Sequence, residues 1–154
     1  MTESVWDYPR PPRVEACARR AVVEFGGVVV ADSERALRVL ETSQAPAIYF
    51  PPDDVRMDLL SAVSKRTFCE WKGVASYYDL VVDGTRSEAA AWTYPDPVPA
   101  YAELLNHVAF YPQRVDLCRL GEATVEPNGG DFYGGWITSD VEGPFKGAQG
   151  TAGW

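Results

Sequence analysis

The sequence predicts a mainly β domain, and three observations carry that expectation. Short runs rich in β-branched and aromatic residues recur along the chain, separated by Gly, Pro and Asp turn chemistry. Arg20 to Glu24 and Val28 to Ala31 flank Gly26-Gly27, and glycine accepts the positive φ that a tight hairpin turn demands. Val74 to Val82 is rich in Val, Tyr and Leu and closes at Asp83-Gly84.

The remaining elements follow in chain order. Trp6 to Pro12 is an extended arm, because each proline fixes φ and lacks an amide donor. Ala36 to Glu41 and Ala47 to Phe50 read as strands, the second broken by Pro51-Pro52. Asp53 or Asp54 is expected to cap a short helical turn running to Leu60. In Val74 to Val82, Ser76, Tyr78 and Leu80 share one face, and Ala75, Tyr77 and Asp79 the other. Both faces are largely apolar, which predicts a central strand, with Glu88 to Tyr94 as its partner. One short helix is expected near 97–107. Asp96 suits its N-cap and Pro97 its first position, and Tyr101, Leu104, Leu105 and Val108 fall at helical spacing. Ala109 to Tyr111 and Val115 to Leu120 read as closing strands. From Glu126 the composition shifts to eight glycines among Phe132, Tyr133, Trp136, Phe145 and Trp154, which predicts an irregular wrap. The organisation expected is therefore an arm over 1–13, a β domain over 14–125 and a wrap over 126–154.

Charge and composition exclude several functions. A net charge of −8, with basic residues scattered, argues against nucleic-acid binding, which needs basic stripes. No apolar run approaches the roughly 20 residues of a membrane span, and Met1 to Arg13 lacks the apolar core of a secretory signal. Cys17, Cys69 and Cys118 are an odd set without paired spacing, as expected in a reducing compartment, so the cytoplasm is predicted. With no C-x-x-C and a single histidine, neither a metal nor another cofactor is expected.

The densest chemistry lies between Arg66 and Tyr111. It comprises Arg66 to Asp79, Ala90 to Pro97 and Asn106 to Pro112, each mixing aromatic and ionisable residues near an element end. Apolar walls with a few placed polar groups suit a ligand cleft. The strings C-x-W-K-G-x-A-S-Y-Y (Cys69 to Tyr78), A-A-W-x-Y-P-x-P (Ala90 to Pro97) and H-V-A-F-Y (His107 to Tyr111) resemble those of the domain-of-unknown-function family 427. The likeness extends to the Val5 to Pro12 arm and to Tyr133 to Thr138. It implies a small β-tent fold of the Mss4-like group, two mostly antiparallel sheets packed at an angle. The paired cysteine knuckles of that group's zinc-bearing members are absent. A nucleotidyltransferase label sometimes attached to the family finds no support here, since no D-x-D pair of metal-binding carboxylates occurs.

Each candidate residue carries a functional and a structural alternative. Cys69 is a nucleophile if Lys72 or Arg66 stabilises its thiolate, and otherwise a small buried hydrophobe. Lys72, before Gly73, binds an anionic group or is a solvated lysine at a strand entry. His107 is the one side chain of a type that titrates near neutrality, or a helix C-cap. Asp79 among apolar neighbours pairs with Lys72, Arg66 or a tyrosine hydroxyl. Trp71, Tyr78, Trp92 and Tyr94 form either an aromatic ligand wall or ordinary cross-strand packing. The leading expectation is a domain that binds a small polar or anionic molecule. The alternatives are an enzyme using Cys69 or His107 with Lys72, and a protein-interaction module using the arm and the aromatic tail.

Overall fold

The computed structural model describes residues 2–127 and 133–146. Fifteen strands are formed among them. The first six are β1 (Glu3–Ser4), β2 (Arg13–Ala16), β3 (Ala21–Phe25), β4 (Val28–Ser33), β5 (Leu37–Leu40) and β6 (Ala47–Phe50). Next come β7 (Leu60–Cys69), β8 (Gly73–Val82), β9 (Thr85–Thr93), β10 (Val108–Phe110) and β11 (Leu117–Leu120). The last are the two-residue pieces β12 (Ala123–Thr124), β13 (Glu126–Pro127), β14 (Trp136–Ile137) and β15 (Val141–Glu142). The protein is mainly β, as predicted. Its scaffold is an open antiparallel seven-stranded sheet in the order β2-β5-β6-β10-β9-β8-β7 and a four-stranded one in the order β12-β11-β3-β4.

Local chemistry explains the hairpins. Gly26 and Gly27 turn between β3 and β4 with φ of 60° and 79°, the positive values that glycine adopts without penalty. A Cβ on Gly26 would stand 2.9 Å from Val82 Cγ1, so the turn also sits close against the end of β8. Val23, Val30, Cys118 and Leu120 of the smaller sheet meet Ile48, Phe50, Leu80 and Phe110 of the larger one in a sealed core. Alternation sends the intervening residues Tyr49, Tyr77, Trp92 and Ala109 to the opposite face, where they form a second, aromatic cluster.

Two expectations are corrected, and one strand was not foreseen. The helix near 97–107 is a 3-10 segment, Pro99–Leu104, entered from Val98 and interrupted at Tyr101 (φ −119°, ψ 25°). Pro99 forces the residue before it out of the helical region, and Val98 accordingly has ψ 141°, so no helix can run from Pro97 onward. Neither Asp53 nor Asp54 caps a turn leading to Leu60. Two 3-10 turns, Pro52–Asp54 and Met57–Leu59, lack side-chain caps, and Asp54 instead accepts from Ser33 Oγ at 2.6 Å and Arg35 Nη2 at 2.8 Å. β7 follows as a long edge strand. Its side chains are mostly exposed, so it carries no alternating apolar signal.

Of the C-terminal segment, Phe132 and Trp154 lie outside the described residues. The described part is tied to the domain. Trp136 is buried and donates its indole N–H to the Phe110 carbonyl at 3.2 Å, while its amide donates to the Pro46 carbonyl at 2.7 Å. Near the N-terminus, Val5 is fully buried and Trp6 donates its indole N–H to the Pro144 carbonyl at 2.9 Å. No helix among the described residues is long and apolar enough to cross a membrane.

Candidate functional site

The aromatic face of the seven-stranded sheet holds a recess of about 250 Å³. Its floor is built by alternation. Tyr49 on β6, Tyr77 on β8 and Trp92 on β9 project from the same face, because β8 and β9 pair Tyr77 directly with Trp92. Tyr94 and Tyr111 follow the ends of β9 and β10. Trp92 Nε1 donates to Tyr49 Oη at 3.0 Å, and the two rings meet edge to face at 6.0 Å. Trp92 and Tyr111 lie 4.6 Å apart between centroids. These contacts lock the rings in place while leaving them on the recess wall.

One wall is the β7–β8 turn, which supplies Cys69, Glu70, Trp71 and Lys72. Cys69 pairs with Gly73 across it. Gly73 has φ 113°, and the Lys72 carbonyl accepts the Val98 amide at 2.9 Å, so the 96–98 segment pins the turn from outside. Lys72 is thereby buried, at 8 % exposure, with Nζ 5.9 Å from the centre of the Tyr94 ring. No carboxylate of a described residue lies within ion-pair distance of it, whereas arginines fill the ion pairs elsewhere in the fold. Burial pulls the Lys72 pKa down, and the nearby Tyr49, Cys69 and Glu41 groups more than offset this, so its net shift is upward and it stays an ammonium. Burial raises the Tyr49, Tyr94 and Tyr111 pKa values, so these phenols are neutral hydrogen-bonding groups at physiological pH.

Tyr133, Gly134, Gly135 and Lys146 also line the recess. A Cβ on Gly134 would lie 2.4 Å from Trp92 Cη2, so only glycine lets this backbone rest on the indole.

Cys69, Trp71, Lys72, Trp92 and Tyr94 are thus brought together. The other expected site residues are not. His107 lies past the 3-10 segment, off the recess, with Nδ1 3.1 Å from the Leu105 carbonyl oxygen. Arg66 is exposed and donates to the Val63 and Lys65 carbonyls at 2.8 Å, bracing a bulge in β7 rather than facing a ligand. Tyr78 points to the other face and packs against the sealed core. Asp79 finds a partner, though not Lys72, Arg66 or a tyrosine. It accepts from the Ala89 amide at 2.8 Å and Arg86 Nη1 at 2.6 Å, stabilising a β9 bulge in which Ala89 holds φ 48°. The Ala89 amide, with help from Arg86, holds the Asp79 pKa below its ordinary value.

Sequence reasoning missed Tyr49, Tyr77, Tyr111, Glu41 and Lys146 as lining residues. A signal existed for Tyr49, which alternates with the apolar Ile48 and Phe50. Among the described residues no three His, Cys, Asp or Glu side chains gather as metal ligands would.

The recess lies mostly within a stretch that matches a known family. Residues 13–121 match the family described as a domain of unknown function, DUF427. The chain belongs to that family. The β7–β8 turn and the tyrosine and tryptophan floor fall within the DUF427 match, whereas Tyr133 to Lys146 lie beyond it. No curated protein matches the chain.

Proposed function

We propose that the chain binds a small polar or anionic molecule in the aromatic recess, with Lys72 as the anion contact. The observation that carries this reading is the burial of the Lys72 ammonium among aromatic rings, without a carboxylate partner among the described residues. A buried charge left unpaired is costly, and a ligand anion would offset that cost. The rings supply apolar contact area and the tyrosine hydroxyls supply hydrogen bonds. The recess exceeds the cavity of about 150 Å³ that admits benzene, so a single-ring molecule fits.

A thermal-shift screen of small organic anions tests the proposal. A ligand at 100 times its Kd adds about 2.7 kcal/mol of stability. The shift is expected in the wild type and lost in Lys72→Gln. A hit whose shift survives Lys72→Gln sinks the assignment.

A second reading is catalytic, and one observation favours it: Cys69 lines the recess beside Lys72 and is among the groups acting on its ammonium. In that reading Cys69 Sγ is the nucleophile toward an electrophilic carbon of the bound molecule, whose leaving group departs with the electron pair of the bond that breaks. Cys69→Ala would then abolish turnover and leave binding intact. We place the chain in the cytoplasm, a reading supported by three cysteines that are all unpaired. Its two larger sheets, both antiparallel, support an assignment to the Mss4-like β-tent group.

A further inference from the structure

We infer that the ligand of the recess is a zwitterion, a small molecule whose carboxylate meets Lys72 and whose ammonium meets Glu41. This rests on the proposed binding function and deepens it. The first ground is the balance of charge. Among the described residues, the charged ones that line the recess are Glu41, Glu70, Lys72 and Lys146, two of each sign. Such a lining has no net charge to draw in a simple anion. Glu70 is exposed, whereas Lys72 is 8 % exposed and the Glu41 side chain 14 %. Glu41 is among the groups acting on the Lys72 ammonium, yet the two form no ion pair with each other. An ion of one sign would match one of them and leave the other facing the recess. A molecule carrying both signs matches both.

The second ground is unfilled hydrogen-bonding capacity. A carboxylate offers about four lone-pair sites. Among the described residues no group donates a hydrogen bond to the Glu41 carboxylate, and its one ion pair, with Arg10 Nε at 4.0 Å, is beyond hydrogen-bond length. Arg10 directs Nη2 instead to the Thr42 carbonyl at 3.3 Å and to Ser43 Oγ at 3.5 Å. A ligand ammonium, with three donors on one compact group, suits such a site. The third ground is preorganisation. Glu41 and Gln44 both line the recess and belong to one turn, closed by the Gln44 amide donating to the Glu41 carbonyl at 3.1 Å. The N-terminal arm braces that turn. Ser43 is fully buried and its amide donates to the Val5 carbonyl at 2.9 Å, while Thr42 Oγ1 donates to the Tyr8 carbonyl at 2.5 Å. The β7–β8 turn that carries Lys72 is pinned by the Val98 amide. Both charges therefore sit on fixed turns, so little ordering is left for binding to impose. The aromatic floor takes the apolar body that joins the two ends of the ligand.

Calorimetric titration of the full chain at pH 7 with two matched pairs of probes tests the inference. Phenylalanine is compared with 3-phenylpropanoate, and 4-(aminomethyl)benzoate with 4-ethylbenzoate, so that each pair sets an ammonium against its absence. In the wild type at least one zwitterion is expected to bind about tenfold or more tighter than its amine-free counterpart, a gain of about 1.4 kcal/mol. Glu41→Gln, which keeps the shape of the side chain, is expected to remove most of that gain. The counterpart's affinity should stay within about threefold, which also shows that the recess still folds. Lys72→Gln is expected to weaken all four probes. The inference is overturned by no gain in either pair, by a gain that survives Glu41→Gln, or by an equal loss of the counterpart in that variant. Binding of the amine-free probes that depends on Lys72 then leaves the proposed function standing. Binding indifferent to Lys72→Gln, or absent for all four probes, overturns both.

Discussion

The two faces of the seven-stranded sheet are built from neighbouring residues of the same strands, yet they differ in kind. Toward the smaller sheet, Ile48, Phe50, Leu80, Val108 and Phe110 are sealed at 1 % exposure or less, without a polar side-chain atom among them. Away from it, Tyr49, Tyr77, Trp92, Tyr94 and Tyr111 are nearly as buried but keep hydroxyl and indole groups, and they surround an open volume. The first face stabilises the fold by excluding water. The second is packed tightly enough to fix its rings and loosely enough to leave a recess of about 250 Å³. Natural proteins commonly give up some stability in this way where they bind.

Mutations should separate the faces. Phe110→Ala, in the sealed core, is expected to cost about 3–5 kcal/mol in urea unfolding. A loss below about 1 kcal/mol would mean that this face is not the stabilising one. Asp79→Asn, at the bulge, is expected to cost about 1.5–3 kcal/mol, because a charged acceptor of two hydrogen bonds is lost. The sign of its pH dependence follows from the depressed pKa. The folded carboxylate holds its proton less tightly than the unfolded one, so its stabilisation is complete above the ordinary aspartate value of about 3.9 and is lost as pH falls through the lower folded value. The difference in unfolding free energy between wild type and Asp79→Asn should therefore shrink below about pH 4.

Lys72→Met sharpens the contrast. It removes an ammonium that has no carboxylate partner among the described residues, so stability should hold or rise by up to about 1 kcal/mol. A clear destabilisation would make Lys72 structural and erase the distinction between the faces. His107→Ala, off both clusters, is expected to change stability by less than about 0.5 kcal/mol and to leave anion binding untouched.

Much of this was legible in local chemistry. The Gly26-Gly27 hairpin, the β6 strand at Ala47–Phe50 and the long β8 strand follow from short-range backbone preferences that any environment would express. The edge strand β7 was not legible. An edge strand exposes most of its side chains, and nothing in its residues replaces the missing alternation. The expected site was legible in part. Trp71, Lys72 and Trp92 stood out by composition and do converge, while Tyr78 was preferred to Tyr77, a choice of one residue that selects the wrong face of the sheet.

That choice marks the boundary. Strand positions, turn geometry, net charge and family membership are properties of short segments or of the chain as a whole, and residue order is enough to state them. Which face of β8 is sealed and which is open depends on where β3, β4 and β11 pack. That Lys72 and Lys146, more than seventy positions apart, line one recess depends on how a distant segment returns across the sheet. Both are long-range contacts that fold closure creates, and no local pattern encodes them.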